Sequence, residues 1–212
     1  MPGKRRSIRL KNYDYRQEGS YYVTICLNDR KYVFGDIKDD EMVLNDAGKI
    51  VEFTWMNLTH HNDNIELDEY VIMPNHIHGI INIVGAGSKP AMNHNHLSIN
   101  KYNHEQSTNG NEYNEKIING KRERAGLEPA PTIHGLPEIV RQFKTFSAKR
   151  INQMNKTPNV CLWQRNYYEH ITRDEYNLNR IREYIKNNPA NWDNDENNLK
   201  NYKNKNITKQ CR

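Results

Sequence analysis

Two apolar runs separated by a Pro-Asn pair at 74–75 constrain the fold of this 212-residue chain more than any other feature. Residues 65–73 and 76–84 are rich in β-branched and aromatic side chains, and the proline between them favours a turn. The pattern predicts two neighbouring antiparallel strands. His76 and His78 occupy alternate positions of the second strand, so their side chains share one face, about 6.6 Å apart along the strand.

Periodic segments on both sides of these runs predict the remaining elements. Residues 20–27 and 166–171 are predicted as strands, and 31–37 with 42–44 as a hairpin. Helices are predicted to start at Asn45 or Asp46, at Leu136, and at a Thr172-Arg173-Asp174-Glu175 capping box, the last ending before Pro189. The order of elements predicts an α+β, ferredoxin-like (RRM-like) antiparallel sheet packed by helices, with an additional C-terminal helix.

The chain is expected to form a single domain over residues 1–212. Between 85 and 133 the periodicity is lost and the sequence is rich in Asn and Gly, which predicts a flexible insertion. A polar C-terminal tail is expected from residue 193.

Composition excludes several classes of protein. The apolar runs are shorter than the ~18 residues of a membrane span, and three scattered cysteines do not suggest a disulfide scaffold. We therefore expect no membrane partner and a cytoplasmic location. The net charge of +5 is concentrated in residues 134–192, which contain ten basic and five acidic residues.

Basic side chains interleaved with aromatic ones suit a single-stranded nucleic acid, because phosphates bind the charges and bases stack on the rings. The predicted contacts are Arg141, Lys144, Lys149 and Arg180. A solvated helix face would show the same charge pattern, and this alternative stays open.

The histidine pair has two interpretations. His76 and His78 could converge on one divalent cation, or they could be exposed or internally hydrogen-bonded. Tyr184 and Asn188 are four residues apart and share one helical face. Tyr184 could then act as a nucleophile with Asn188 as an oxygen ligand, although the same spacing suits a tyrosine at the edge of the core.

Three segments together resemble a known family. The run Met-Pro-Asn-His-Ile-His-Gly at 73–79 resembles the HUH motif of single-tyrosine transposases. Leu-Trp-Gln-Arg-Asn-Tyr-Tyr-Glu-His at 162–170 and Arg-Glu-Tyr-Ile-Lys-Asn-Asn-Pro at 182–189 resemble the REP-associated tyrosine transposases, the bacterial branch linked to repetitive extragenic palindromes. The resemblance covers about residues 8–84 and 134–192, and the insertion at 85–133 is longer than a minimal family member needs.

The resemblance implies a set of site residues. Its metal ligands correspond to His76, His78 and Asn188, and its nucleophile corresponds to Tyr184. The segment Trp163, Gln164 and Arg165 matches a family motif that we assign to DNA contact or to support of the site.

The implied activity is metal-dependent nicking and joining of single-stranded or hairpin DNA of the nucleoid, through a 5′-phosphotyrosine and with Mg²⁺ or Mn²⁺ as cofactor. Two alternatives remain: an inactive or domesticated hairpin-DNA-binding protein, and a replication-initiator or relaxase nuclease with the same H-x-H chemistry. A monomer and a homodimer are both compatible with the sequence.

Overall fold

A computed structural model describes residues 9–10, 12–84 and 134–201 of the chain, and all of them belong to one compact unit. The predicted insertion at 85–133 and the last residues of the predicted tail, 202–212, lie outside the described residues. The strands are β1 (Gly19–Cys26), β2 (Gly35–Lys38), β3 (Glu41–Leu44), β4 (Ile65–Met73), β5 (His76–Ile83) and β6 (Tyr168–Thr172). The helices are α1 (Asp46–Met56), α2 (Leu58–His61), α3 (Leu136–Met154), α4 (Glu175–Lys186) and a 3₁₀ turn, Trp192–Asn194.

The main sheet has four strands in the order β4-β5-β1-β6, and every neighbouring pair is antiparallel. Since β2 and β3 form a separate two-stranded sheet, the main sheet uses the first, fourth, fifth and sixth strands of the chain. This is the ferredoxin-like order, which confirms the predicted fold class. The central position of β5 places both histidines in the middle of the sheet.

The two faces of the main sheet are covered by different helices. On one face, Ile77 and Ile81 of β5 pack in the large core cluster with α1 and α3 residues such as Trp55 and Phe143. On the other face, a smaller cluster joins Tyr22 and Ile80 to Leu178 and Ile185 of α4. Because side chains alternate along a strand, His76 and His78 project on the α4 face.

Local sequence explains where the helices begin. The Asn45 side chain accepts a hydrogen bond from the Gly48 amide at the start of α1, as predicted. The predicted capping box of α4 is wrong. Thr172 ends β6 with its hydroxyl buried and unpaired within the described residues, whereas Asp174 accepts from the Asn177 amide and caps the helix.

The large core is built around aromatic rings. Trp55 is fully buried, and its ring lies edge-on to Phe143 at a centroid distance of 5.4 Å. The same ring lies against Gly79, where an added Cβ would come within 2.3 Å of it. Gly79 therefore allows close contact between α1 and the strand that carries the histidines.

None of the helices in the described ranges combines the length and the apolar character that crossing a membrane requires.

Candidate functional site

The structure places the imidazoles of His76 and His78 together on β5, buried at 0% and 2% exposure. Their Nε2 atoms are 2.8 Å apart, and the ring centroids are 4.4 Å apart. Two nitrogens at this distance, each able to present a lone pair, can bind the same cation.

The other nitrogen of each ring is held by a polar neighbour. His76 Nδ1 is 2.8 Å from Asn75 Oδ1. The Asn75 amide nitrogen donates to the carbonyl oxygens of Arg30 and Asn197, which fixes its oxygen toward the ring. Because Asn75 Oδ1 can only accept, the proton of His76 belongs on Nδ1 and its Nε2 presents a lone pair to the site.

His78 Nδ1 faces two hydroxyl groups. It lies 2.7 Å from the Tyr22 hydroxyl and 2.9 Å from Thr24 Oγ1, and the Thr24 hydroxyl donates to that of Tyr22. Since Thr24 uses its one proton on Tyr22, its oxygen is left to accept from His78 Nδ1. This network orients the His78 ring so that Nε2 also points into the site.

Both imidazoles are kept neutral by their surroundings. Burial lowers the pKa of His76 well below 6.5, and the neighbouring His78 lowers it further. Burial also lowers the pKa of His78. Neutral imidazole is the form that binds metal ions.

An acidic residue that sequence reasoning missed completes the cluster. Asp195 is buried, and its Oδ2 lies 3.8 Å from His76 Nε2. One potential ligand atom from each of His76, His78 and Asp195 lies within 4.8 Å of the other two. Burial would raise the pKa of Asp195, but its interactions with both imidazoles and the Asn197 amide lower it to about 2, so the carboxylate is ionised.

Asp195 lies in the region predicted to be a polar tail. It follows the 3₁₀ turn, whose Trp192 ring packs against His76 and Tyr32 at centroid distances of 6.0 and 5.5 Å. Arg30 donates to the side-chain oxygen of Asn197, and this bond holds the segment that follows Asp195 against the rest of the fold. Within its Asn-rich surroundings, Asp195 carries no local signal that distinguishes it from Asp193, two residues earlier.

Tyr184 projects from α4 beside the histidines. Its ring centroid is 5.4 Å from that of His78 and 6.3 Å from that of Tyr22, and the residue is 49% exposed. Burial and the Asp195 charge raise the pKa of Tyr184, while the nearby amide of Asn188 acts in the opposite direction.

Asn188 follows α4 and is buried at 3% exposure. Its Oδ1 atom has no hydrogen-bond partner among the residues that the structure describes. A buried amide oxygen without a donor costs free energy unless a ligand or cation satisfies it. Asp195 is thus an oxygen donor beside the histidine pair, and Asn188 is a buried oxygen donor that interacts with Tyr184.

Three of the predicted DNA contacts are engaged inside the protein. Trp163 is 4% exposed, its indole donates to Ser147 Oγ at 2.9 Å, and the ring packs between Phe34 and Phe143. Gln164 donates to the Leu27 carbonyl oxygen at 3.1 Å. The packing of the Trp163 ring therefore favours the second role predicted for this segment, support of the site.

Lys144, another predicted DNA contact, is also engaged within the protein. Its Nζ donates to the carbonyl oxygens of Gln164, Arg165 and Asn166 at 2.9, 3.3 and 3.1 Å. Burial lowers the pKa of Lys144 to about 8. Lys144 therefore holds the segment that follows Trp163 against α3.

The other basic candidates remain at the surface. Arg165 and Lys149 are exposed. Arg141 is exposed and ion-paired with Glu138, and Arg180 lies over the Tyr176 ring at 5.9 Å. Arg141 and Lys149 are on α3, which packs on the sheet face opposite to the histidines, whereas Arg180 is on α4.

Comparison with known proteins gives several matches. The family model described as "Transposase IS200 like" matches residues 127–188, the stretch that includes α3, β6, α4 and Tyr184. An uncharacterized protein of Haemophilus influenzae strain Rd is 38% identical over 198 residues, which cover 91% of this chain and 92% of the relative.

Two solved structures are also similar. A REP-associated tyrosine transposase bound to a REP hairpin matches with a TM-score of 0.49 and 13% identity, over 86% of this chain and 73% of that chain. A candidate transposase of Deinococcus radiodurans R1 matches with a TM-score of 0.41 and 15% identity, over 85% and 97% of the two chains.

The family match includes the helix that brings Tyr184 to the buried histidine pair, and the three motifs occur in the order that the resemblance requires. Over residues 127–188, the part of the chain that carries Tyr184, the sequence therefore matches the IS200-like transposase family model.

Proposed function

We propose that this protein is a transposase that nicks and rejoins single-stranded DNA at hairpin sequences, with Tyr184 as the nucleophile. The observation that carries the proposal is the Tyr184 ring, half-exposed and 5.4 Å from the ring of the buried His78. A phosphodiester bound at the histidine pair would then lie within reach of a phenol that solvent and DNA can approach.

The donor atoms suit a small divalent cation. His76 and His78 would bind it through Nε2, and Asp195 and Asn188 offer carboxylate and amide oxygens. Nitrogen and oxygen donors without a thiolate are compatible with Mg²⁺ or Mn²⁺. Such a cation would polarise the phosphate oxygens and stabilise the charge that develops on them. The Oδ1 of Asn188 supports this assignment, because it is a buried acceptor that no donor among the described residues satisfies.

The proposed cleavage step exchanges one ester bond for another. The bond between Tyr184 Oη and phosphorus forms as the bond between phosphorus and the 3′ oxygen breaks, leaving a 5′-phosphotyrosine. The phenol proton ends on the departing 3′ oxygen. Attack by another 3′-hydroxyl reverses the step and joins strands without ATP, because the phosphotyrosine retains an ester bond.

The surface charges suggest how the DNA is held. Arg180, on the same helix as Tyr184, is a proposed phosphate contact near the site, and Arg165, Arg141 and Lys149 are proposed contacts farther away. Binding through phosphates makes affinity fall steeply with salt, because counterions are released. This substrate would place the enzyme at the nucleoid in the cytoplasm.

A covalent-trapping experiment tests the proposal. The wild-type protein is incubated with a labelled hairpin oligonucleotide and Mn²⁺, and adducts that resist denaturation are resolved on a gel. We expect an adduct with the wild type and none with Tyr184→Phe, which retains the ring but lacks the hydroxyl. Tyr176→Phe is the matched control, since Tyr176 is on the same helix and 73% exposed; its adduct should persist.

The outcome also separates the proposal from its alternative. Hairpin binding by the wild type without any adduct would show a DNA-binding protein that does not cleave. An undiminished adduct in Tyr184→Phe would assign the nucleophile to another tyrosine. Loss of the adduct in His76→Ala, with binding retained, is expected if the histidines hold the cation.

The two oxygen donors can be distinguished by titrating the metal. Asp195→Asn and Asn188→Ala are compared for the Mn²⁺ concentration that gives half-maximal adduct. A residue that ligates the cation should raise this concentration when it is replaced, whereas a residue that only packs beside the site should leave it unchanged.

A further inference from the structure

An irregularity in β4 lies directly under the helix that carries Tyr184. The pairing of β4 with β5 shifts register between Leu67 and Tyr70, so Asp68 and Glu69 lie in a bulge. In a regular strand two consecutive side chains point to opposite faces. Here both acids reach α4: Asp68 pairs with Arg182 and Glu69 with Lys186. The bulge thus turns two adjacent carboxylates toward one helix.

The pair between Arg182 and Asp68 is the stronger of the two. The Arg182 Nε lies 3.1 and 3.0 Å from the two Asp68 oxygens, and Nη2 lies 2.6 Å from Oδ2. Nη1 donates to Glu175 and Asn179 of α4 itself, at 2.8 Å each. With side-chain exposures of 28% and 15%, this fork-like pair is partly removed from water, which strengthens it relative to a surface pair.

The pairs fix α4 close to the nucleophile. Arg182 and Lys186 are separated by four residues, and Tyr184 lies midway between them in sequence. In α4 only Leu178 and Ile185 are buried, with Ile181 partly buried beside them, so apolar packing anchors this twelve-residue helix at few points. A small rotation about those points would carry the Tyr184 ring away from His78. The ion pairs to β4 resist that rotation.

We propose that Asp68 and Arg182, assisted by Glu69 and Lys186, are positioning residues that hold α4 so that Tyr184 serves the histidine pair of its own chain. This inference rests on the proposed function of Tyr184 as the nucleophile. It extends that function, because it assigns the alignment of Tyr184 with the histidine pair to a bulge in β4, a strand that carries no proposed catalytic residue.

Rate and affinity measurements test the positioning role. Asp68→Asn and Arg182→Gln should lower the rate of adduct formation at saturating hairpin DNA by roughly tenfold to a hundredfold, since misplacing a reacting group by about 1 Å has such effects. Hairpin affinity, measured in a Tyr184→Phe background, should be unchanged by Asp68→Asn. The Mn²⁺ concentration for half-maximal adduct should also stay unchanged.

Asp68→Asn is the decisive variant because it removes the anchor without removing a positive charge that DNA could contact. The exchanged pair Asp68→Arg with Arg182→Asp should recover part of the rate. Lys49→Ala, which breaks a surface pair with Asp46 on α1, is the control and should leave the rate unchanged. A full rate in both Asp68→Asn and Arg182→Gln, or a loss of rate that follows a loss of affinity, would overturn the proposal.

A mixing experiment tests whether the tyrosine acts within its own chain. Tyr184→Phe and His76→Ala proteins are combined, so that an intact tyrosine and an intact histidine pair exist only on different chains. We expect no adduct from the mixture. An adduct would show that the nucleophile is exchanged between chains and that the ion pairs do not hold it to its own site.

Amide hydrogen exchange gives a readout that does not depend on catalysis. Asp68→Asn should exchange faster at the amides of α4 than the wild type, while Lys49→Ala should not. If the wild type forms no adduct but Asp68→Asn still exchanges faster, the proposed function is rejected while the anchoring of α4 by the ion pairs stands. Unchanged exchange across α4 would overturn the anchoring itself.

Discussion

Substituting Gly79 by alanine should destabilise the fold by a clash on the sheet face away from the histidines. The added Cβ would lie 2.3 Å from Cζ2 and 2.8 Å from Cη2 of Trp55. Carbon atoms in favourable contact are about 3.5–4.0 Å apart, so the indole would have to withdraw by about 1 Å. Trp55 is fully buried against Phe143 and cannot withdraw freely. We expect a loss of about 1–3 kcal/mol in the free energy of unfolding.

Urea unfolding followed by circular dichroism measures this loss, and the same substitution in a Trp55→Phe background isolates its cause. The smaller phenyl ring lacks the atoms that clash, so Gly79→Ala should cost less there than in the wild type. An equal cost in both backgrounds would mean that the two substitutions act additively, as residues that do not interact do. That result would refute the steric argument. If the argument holds, the glycine after the second histidine is required by packing.

Three further predictions concern the site and its support. Lowering the pH from 7 to 5 should reduce the free energy of unfolding. The reason is that His76 and His78 have pKa values below 6.5 when folded, so the unfolded chain binds more protons over this range. Urea titrations at each pH measure this fall, and an equally steep fall in His76→Gln would contradict the assignment to the histidines. Tyr22→Phe removes a hydroxyl 2.7 Å from His78 Nδ1 and should raise the Mn²⁺ concentration for half-maximal adduct by roughly 10–100-fold. An unchanged metal dependence would show that the Tyr22 hydroxyl does not orient the His78 ring. Lys144→Met should lower the free energy of unfolding in urea by about 1–3 kcal/mol, since three carbonyl oxygens lose their donor. The same substitution at the exposed Lys149 should have little effect. Equal effects of the two substitutions would contradict the anchoring by Lys144.

Much of the fold was predictable because its signals are local. The β-branched and aromatic runs at 65–73 and 76–84 predicted two strands, the i, i+2 spacing put His76 and His78 on one face, and the order of elements predicted the ferredoxin-like sheet. Helical spacing likewise placed Tyr184 on α4, but the helix ends at Lys186, so Asn188 follows it and does not share its helical face. A period of two or of about 3.6 residues determines which side chains share a face, whatever the rest of the chain does.

Contacts between distant segments were not predictable from those periods. The sequence did not single out Asp195, because its meeting with His76 depends on how the chain returns after α4. The burial of Trp163 and the binding of Lys144 to backbone carbonyls were not predictable either, since an aromatic or basic residue has the same local signature at a surface and in a packed interface.

The sequence by itself therefore determined the type of sheet, the shared face of the histidines and the helix that carries the tyrosine. Only the tertiary structure decided that Asp195 joins the histidines and that a bulge at Asp68 and Glu69 anchors α4. The physical reason is that periodicity sets the direction of a side chain relative to its own strand or helix, whereas the partner that it meets is set by the path of the whole chain.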